Sequence, residues 1–406
     1  MRFLHTSDWH LGRTLHGVDL LDAQRAVLAQ IRTLVSDPRD GIPIDAVLVA
    51  GDIYDRAVPP VEAVALLQDT LADLVQHTTV IVTAGNHDSA IRLGFGSRLF
   101  TDRLQVRTDL ASIGEPVLLA PSGGDGEPVA VYPLPYLDPD AARAVLSDGG
   151  EPLERSHRAV MAAAMGRVRA DLARRPAGTR SVVIAHAFVV GGAPSESERS
   201  IVVGGVDSVA ADTFEGVNYV ALGHLHGPQQ PTLSGGATAS SRGVTASPTV
   251  LRYSGSPLRY SFSELAQAKS VTLVDLDTHT DRAVTVTAVP LSQPREMAEL
   301  TATLDEVLAD STHVQDWVRI TVTDRARPDQ LFDRVKSHYP HVLQVLHLPA
   351  GAGPVGENAS LAAREQSPRE LGGDFVRHVT GIDAADLELD LFAAAYQAAL
   401  SEPGAG

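Results

Sequence analysis

The sequence contains no cysteine among its 406 residues. This absence excludes disulfide bonds, thiolate metal sites and cysteine nucleophiles, and it indicates a reducing compartment such as the cytoplasm. An uninterrupted apolar run of about 18 residues is also missing, which excludes a membrane-spanning helix. The first residues show neither a long apolar segment nor a small-residue cleavage site, so secretion is not expected.

Basic residues are few compared with acidic ones. The 50 aspartate and glutamate residues outnumber the 33 lysine and arginine residues, which gives a net charge of −17. This balance argues against a broad basic surface for nucleic acid, although bound divalent cations would add positive charge. A hydrophobic fraction of 44% and a charged fraction of 20% are typical of a globular chain, and the length predicts two or three structural units.

Short apolar runs alternate with helical patterns over the first 277 residues. The runs predict strands at 46–50, 79–83, 181–185, 217–222 and 271–276. Helices are expected after the N-cap candidate Asp19, over 59–77 and over 151–175. In the second helix, the predicted buried stripe consists of Val61, Val64, Leu67, Leu71 and Leu74. The alternation predicts a layered α/β domain over 1–289.

The C-terminal third has a different organisation. A proline-flanked boundary near 290–294 precedes a small α+β unit at 290–350, with a helix at 296–309, a strand at 317–323, a helix at 328–338 and a strand at 342–348. Residues 351–367 have linker composition, and two helical patterns follow within 368–406. Leu387 and Leu391 share one apolar stripe, which packs either on the protein's own core or on a partner. The aperiodic segment 228–249 is interpreted as a loop.

Polar residues follow the N-terminal strand candidate at 3–7 and four of the other predicted strands, at the point where each strand ends. These residues are Asp8 and His10; Asp52; Asn86, His87 and Asp88; His186; and His224 and His226. The carboxyl ends of strands meet at one edge of an α/β sheet, so the clusters are expected to converge. Residues two apart in an extended chain face the same way, which would aim Asp8 and His10 at one centre. Gly51, Gly85 and Gly223 directly precede ligand candidates and permit sharp turns there.

The residue types at these positions indicate a metal site. Aspartate, asparagine and histidine without thiolates suit Mn²⁺, Fe²⁺ or Zn²⁺. The candidates are too many for one ion, and two metals about 3.5–4 Å apart with a bridging carboxylate fit the number. Each cluster alone is compatible with a turn, a surface pair or a buried structural histidine. Five clusters in order, each after a strand, favour a functional site.

These motifs resemble those of a known enzyme family. Asp8-x-His10, Gly51-Asp52, Gly85-Asn86-His87-Asp88, His186 and Gly223-His224-x-His226 are similar to the ordered motifs of the calcineurin-like metallophosphoesterases. The longer runs 5–12, 51–55, 221–226 and 253–258 resemble the SbcD family of bacterial nuclease subunits. The resemblance implies a layered α/β metallophosphoesterase sandwich with a small α+β capping domain and a C-terminal helical tail.

The resemblance also implies roles for individual residues. One metal would be held by Asp8, His10, Asp52 and His226, and the other by Asp52, Asn86, His186 and His224, with Asp52 as the bridge. His87 would protonate the leaving oxygen, and Asp88 would orient His87. Three arginines near the motif loops are candidate phosphate contacts: Arg13, Arg56 and Arg199.

The activity implied is that of a DNA nuclease that uses Mn²⁺. Such enzymes act as 3′→5′ exonucleases on duplex ends and as endonucleases at hairpins, in DNA end processing, repair, recombination and replication. Residues 290–350 would form the DNA-capping domain. The tail at 368–406, with Leu387 and Leu391, would bind an SbcC-type SMC-like ATPase. A homodimer within a heterotetramer in the nucleoid-associated cytoplasm, without a membrane contact, is expected. The alternatives are a generic metallophosphoesterase acting on small phosphodiesters and a non-catalytic scaffold.

Overall fold

The computed structural model describes residues 1–38, 40–120, 127–198, 208–233, 249–276 and 284–349, together with 372–373, 385–386 and 388–392. The predicted linker and most of the predicted tail lie outside the described residues, as do Arg199 and Leu387. Within the described part of the chain, no helix has both the length and the apolar character needed to cross a membrane.

The described residues up to 349 contain sixteen strands and seven α-helices, numbered here in chain order. The strands are β1 Arg2–Thr6, β2 Thr14–Leu15, β3 Val18–Asp19, β4 Ala46–Ala50, β5 Thr79–Thr83, β6 Leu104–Arg107, β7 Val117–Leu119, β8 Val129–Pro133, β9 Ser181–His186, β10 Tyr219–Gly223, β11 Val250–Tyr253, β12 Ser270–Leu276, β13 Val284–Pro290, β14 Met297–Ala302, β15 Trp317–Val322 and β16 Val342–His347. The helices are α1 Leu21–Ser36, α2 Val61–His77, α3 Ala90–Leu93, α4 Pro139–Val145, α5 His157–Leu172, α6 Leu304–Ala309 and α7 Leu331–His338. Short 3₁₀ turns cover Ser97–Leu99, Leu110–Ser112, Ala211–Phe214 and Phe262–Glu264.

The chain forms two compact units. The first comprises the described residues of 1–300, 308–320 and 332–345, and the second comprises those of 301–307, 321–331 and 346–406. The first unit contains both large sheets and every described candidate ligand. The domain boundaries that the sequence suggests at 289 and 350 stay a prediction.

A six-stranded sheet forms one layer of the first unit, with the order β13-β12-β1-β4-β5-β6. Strands β1, β4, β5 and β6 run parallel to one another, and β12 is antiparallel to β1. Every residue of β1 and β4 is buried. The continuous apolar run of β4 is typical of a parallel strand that is covered on both faces.

A five-stranded sheet forms the second layer, with the order β11-β10-β9-β8-β7. Its strands are parallel except for the antiparallel edge strand β7. Phe3, Leu48 and Ile81 of the first sheet pack against Val182 and Tyr219 of the second in one buried cluster. Helices α1 and α2 cover the outer face of the first sheet, and α4 and α5 cover the outer face of the second. The predicted layered α/β sandwich is confirmed.

The buried face of α2 differs from the predicted stripe. Leu67 and Leu74 are buried as predicted, but Val61 and Val64 are 79% and 42% exposed, and Ala63 and Thr70 are buried in addition. The face that meets the sheet carries small residues beside leucine, so the prediction was correct for these two leucines and wrong for the two valines.

The predicted helix at 296–309 is correct only in its second half, because β14 occupies the first half. The backbone N–H and Oγ1 of Thr303 both donate to the Glu306 carboxylate, at 2.9 Å and 2.7 Å. This capping arrangement starts α6 at Leu304 and thereby ends the extended segment.

Candidate metal centre

The strand ends of the two sheets meet at the candidate site. Asp8, Asp52 and His224 each follow the last residue of a strand by one or two positions, and His186 is the last residue of β9. Gly223 makes the close approach possible, because a Cβ atom at this position would lie 1.8 Å from the carbonyl oxygen of Ala50. Glycine at the end of β10 therefore allows strands of different sheets to bring their polar residues together.

One group of donor atoms consists of Asp8, His10 and His226, all of which are buried. The Nε2 atoms of His10 and His226 are 3.0 Å apart. Burial, together with the neighbouring His226 and His87, holds the pKa of His10 well below its usual value. Asp8 has a raised pKa because of burial and the neighbouring Asp52. The group thus brings several electron-pair donors close together, and none of its three members is a lysine or an arginine.

A second group contains His186, His224 and Asn86. The Nδ1–H of His186 donates to the carbonyl of Ala50 at 2.9 Å, so the Nε2 atom carries a lone pair when the ring is neutral. That Nε2 atom lies 2.9 Å from Oδ1 of Asn86, and Nδ1 of His224 lies 3.2 Å from the same oxygen. Burial lowers the pKa of His224 to about 3, so this ring is neutral as well.

Asp52 lies between the two groups. Its Oδ2 atom is 3.5 Å from Nε2 of His10 and 3.5 Å from Nε2 of His186. The other oxygen, Oδ1, accepts the backbone N–H of His87 at 2.9 Å, which fixes the carboxylate. Burial alone would raise the pKa of Asp52, but the surrounding histidines offset it and lower the pKa overall.

The donor set fits two divalent cations. Nitrogen lone pairs and carboxylate or amide oxygens face one another at short distances, an arrangement that a cation between them would stabilise. The backbone carries strain at the same positions, because Asp8, His10, Asp52 and His224 have positive φ angles of 54°, 44°, 50° and 105°. The expectation of an extended chain from Asp8 to His10 is therefore wrong, and left-handed turns bring the two side chains together instead.

His87 and Asp88 occupy the loop after β5. The Nδ1 atom of His87 is 2.8 Å from the carbonyl oxygen of Asp55, and its Nε2 atom is 3.8 Å from Oδ2 of Asp52. The Asp88 carboxylate accepts the backbone N–H groups of Ile53 and Tyr54, at 3.0 Å and 2.9 Å. Burial and the nearby Asp52 raise the pKa of Asp88 to about 7. The hydrogen bond described here for the His87 ring is therefore the one to the backbone carbonyl of Asp55. Asp88 instead binds the backbone of the loop after β4.

The predicted substrate and partner residues have different surroundings, and the structure describes only three of the five. Arg13 donates to the carbonyl of Ser197 at 2.9 Å, and its guanidinium lies 5.1 Å from the ring centroid of Tyr260. Arg56 is exposed and Leu391 is 64% exposed. Arg199 and Leu387 lie outside the described residues.

Sequence reasoning gave no role to two residues that the structure places at the site. Asp55 forms a possible ligand group with His10 and His87. Glu264 reaches His226 from a 3₁₀ turn 38 residues further along the chain. Asp55 lies within the motif run 51–55 and could have been found there, but no local pattern distinguishes Glu264.

Comparison with known proteins identifies the fold family. The family model described as calcineurin-like phosphoesterase matches residues 1–228 of the 406 residues. The chain belongs to the calcineurin-like phosphoesterase family. Members of this family use divalent metals, as the candidate ligand groups here would require. A second model, described as type 5 capsule protein repressor C-terminal domain, matches residues 293–380 of this phosphoesterase.

A curated relative extends the comparison over most of the chain. The SbcD subunit of the nuclease SbcCD from Staphylococcus epidermidis is 28% identical over 349 residues, which cover 84% of this chain and 84% of the relative. The resemblance predicted from the motifs is confirmed by this similarity and by the family match.

Proposed function

We propose that this phosphoesterase is a two-metal DNA nuclease that acts with an SbcC-type ATPase. The observation that carries the proposal is the position of Asp52, whose Oδ2 atom is 3.5 Å from a nitrogen donor of each ligand group. One carboxylate between two donor sets is the arrangement that a two-metal phosphodiester hydrolase needs. The nuclease named among the relatives supports DNA as the substrate.

The proposed ligand sets are those that the family resemblance implies, and the short distances between their donor atoms support them. Asp8, His10 and His226 would hold one ion, and Asn86, His186 and His224 the other, with Asp52 shared. The bound ions, Mn²⁺ in this proposal, would polarise the phosphate and activate water for in-line attack.

His87 is the proposed acid for the leaving oxygen. With Nδ1–H donated to the carbonyl of Asp55, the Nε2 atom faces the ligand groups. Asp88 supports this arrangement indirectly, because its carboxylate fixes the backbone of Ile53 and Tyr54 just before Asp55. Proton delivery from Nε2 would complete cleavage without a covalent enzyme intermediate.

The substrate details are part of the same proposal. They comprise 3′→5′ exonuclease activity on duplex ends and endonuclease activity at hairpins, in the repair, recombination and replication of DNA in the nucleoid-associated cytoplasm. Residues 290–350 are proposed to cap the DNA. Arg56 is exposed and therefore able to reach a phosphate, whereas Arg13 already contacts Asp55 and Ser197. Arg199 stays a candidate from the sequence.

The proposed partners are an SMC-like ATPase and a second copy of this chain. Residues 368–406 would bind the ATPase, and the exposed side chain of Leu391 is suited to an apolar contact. Ile91, Phe95 and Leu99 expose 87%, 85% and 87% of their surfaces, which supports a homodimer within a heterotetramer.

Cleavage of end-labelled duplex and hairpin DNA with and without Mn²⁺ tests this function. His87→Gln is expected to slow cleavage about 10²–10⁴-fold, the usual contribution of an acid–base group, while both metal ions stay bound. The control is His77→Gln at the exposed end of α2, which should cut like the wild type.

The same assay separates the alternatives. Turnover of a small phosphodiester with DNA left intact, even after addition of the ATPase partner, would indicate a generic phosphodiesterase. A folded wild-type protein that binds no divalent metal would indicate a scaffold.

A further inference from the structure

A buried ion pair lies behind one of the candidate ligands. The Nζ atom of Lys269 is 2.6 Å from Oε2 of Glu264, and both side chains have no exposed surface. Removing two charges from water is costly, and such pairs contribute little net stability. The position of this pair therefore calls for a reason other than stability.

The ion pair contacts both the ring and the backbone of His226. Oε1 of Glu264 is 3.2 Å from Nδ1 of His226, and the Ser197 hydroxyl, 2.6 Å from the same nitrogen, donates to that carboxylate. Nζ of Lys269 donates to the carbonyl oxygen of His226 at 3.0 Å and to Oγ of Ser256 at 2.9 Å.

These contacts determine which ring nitrogen of His226 carries the proton. The single hydroxyl hydrogen of Ser197 is used toward Glu264, so the hydroxyl oxygen accepts from Nδ1–H of His226. A neutral ring with its proton on Nδ1 has a lone pair on Nε2. That atom faces Nε2 of His10 at 3.0 Å, inside the first ligand group.

A neighbouring aromatic ring holds the same arrangement from the side. The backbone N–H of Tyr260 donates to Oε2 of Glu264 at 3.2 Å. The Tyr260 ring meets the rings of His10 and His226 edge-on, with centroid distances of 5.4 Å and 5.7 Å. Tyr260, Glu264 and Lys269 thus all contact this side of the ligand group.

We infer that Glu264, held by Lys269 and acting through Ser197, is a positioning residue that presents Nε2 of His226 to a divalent cation. The inference rests on the proposed function, because it takes His226 as a metal ligand. It goes beyond that function by assigning a role to a loop residue outside the ligand set. A carboxylate behind a ligating histidine fixes the ring and increases its basicity.

Calorimetric titration of the full chain with Mn²⁺ tests the inference without relying on activity. The wild type should bind two ions. In Glu264→Gln, one ion should bind about 10–100-fold more weakly, the usual effect of losing such a support, and the other should be unchanged. Asp171→Asn is the matched control, since it removes a carboxylate from an ion pair with Arg175 that lies outside the ligand set. This control should bind both ions like the wild type.

A double variant separates positioning from folding. Glu264→Gln with Lys269→Met leaves no unpaired buried charge, so circular dichroism should show a folded chain while the affinity for one ion stays reduced. Recovery of wild-type affinity in the double variant, or unchanged affinity in Glu264→Gln, would overturn the inference and leave the proposed function intact. A wild type that binds fewer than two ions would overturn both.

Discussion

His5 is a buried histidine whose surroundings keep it neutral. Its Nδ1 atom is 2.9 Å from the hydroxyl of Tyr219, and its Nε2 atom is 3.2 Å from the carbonyl oxygen of Leu222, so Nε2 carries the proton. Burial lowers the pKa of His5 from 6.5 to about 3. The ring joins β1 of one sheet to β10 of the other, and its burial opposes the addition of a second proton.

This pKa predicts acid sensitivity of the fold. Below pH 6.5 the unfolded chain binds a proton at His5, whereas the folded chain resists protonation until the pH approaches 3. The contribution of His5 to the free energy of unfolding is therefore complete above pH 6.5 and is lost as the pH falls toward 3. At about 1.4 kcal/mol per pH unit, His5 accounts for a loss of about 3 kcal/mol between pH 7 and pH 4.

Denaturant unfolding at pH 7 and pH 4, with a chelator present, measures this effect. His5→Gln keeps a donor for Leu222 but cannot titrate, so its loss of unfolding free energy should be smaller than that of the wild type by about 3 kcal/mol. Equal losses in the two proteins would refute the assignment.

At the residue scale, the sequence predicted which side chains converge but not how they are held. The ligand candidates follow apolar strands, and strand ends meet in any α/β sandwich. Asp55 orients His87 through its backbone carbonyl. Every residue has such a carbonyl, so the residue type at this position does not indicate the contact. Glu264 reaches His226 only after β11 and the following segment have folded back. The spacing of neighbouring residues in the sequence therefore does not indicate this contact.

At the element scale, Gly223 at the end of β10 determines how closely two sheets approach. A Cβ atom there would lie 1.8 Å from the carbonyl oxygen of Ala50 and 2.8 Å from Nδ1 of His186. Gly166 provides a contrast, since it is exposed inside α5 and a Cβ atom there would meet nothing within 4 Å. The same substitution should therefore have opposite effects at the two glycines.

Thermal and denaturant unfolding of the two alanine variants checks this contrast. Gly223→Ala should lose about 1–3 kcal/mol or more, because overpacking forces β10 away from β4. Gly166→Ala should gain about 0.5–1 kcal/mol from helix propensity. Mn²⁺ binding should weaken only in Gly223→Ala, because His224 follows the displaced strand end. Comparable stability of the two variants would contradict the close approach of the sheets.

The elements that the sequence predicted best are the fully buried parallel strands. The bounds of β4 and β5 agree with the prediction to the residue, because apolar runs between turn residues have few other interpretations. Helix α4 was missed, although Asp138 caps it by accepting the backbone N–H groups of Asp140 and Ala141. Seven residues are too few for a helical period to stand out from the surrounding sequence.

At the scale of the whole molecule, the net charge of −17 does not exclude a phosphodiester substrate. Asp8 and Asp52 count toward that sum, yet both lie buried in the ligand groups, where bound cations would neutralise them. An acidic total is therefore compatible with a phosphodiester substrate, since the local field at the site depends on its cations.

The segment after β5 carries an exposed apolar surface. Ile91, Phe95 and Leu99 follow one another at intervals of four residues and are almost fully exposed. Arg92 donates to the carbonyl of Ala57 at 3.1 Å, which ties this segment to the loop before α2. Large apolar side chains exposed in this way are unfavourable in water and are suited to a symmetric contact with a second copy.

Sedimentation of the full chain tests the dimer, with Phe95→Asp as the disrupting variant. The wild type should sediment as a dimer, and Phe95→Asp as a monomer, because a carboxylate in an apolar contact would lose its hydration without gaining a partner. The control is Leu118→Asp, an exposed position on the edge strand β7, which should stay dimeric. The metal ligands are untouched in both variants, so each should still bind two Mn²⁺ ions. A monomeric wild type would contradict the dimer. Dissociation of both variants would show that the contact lies elsewhere.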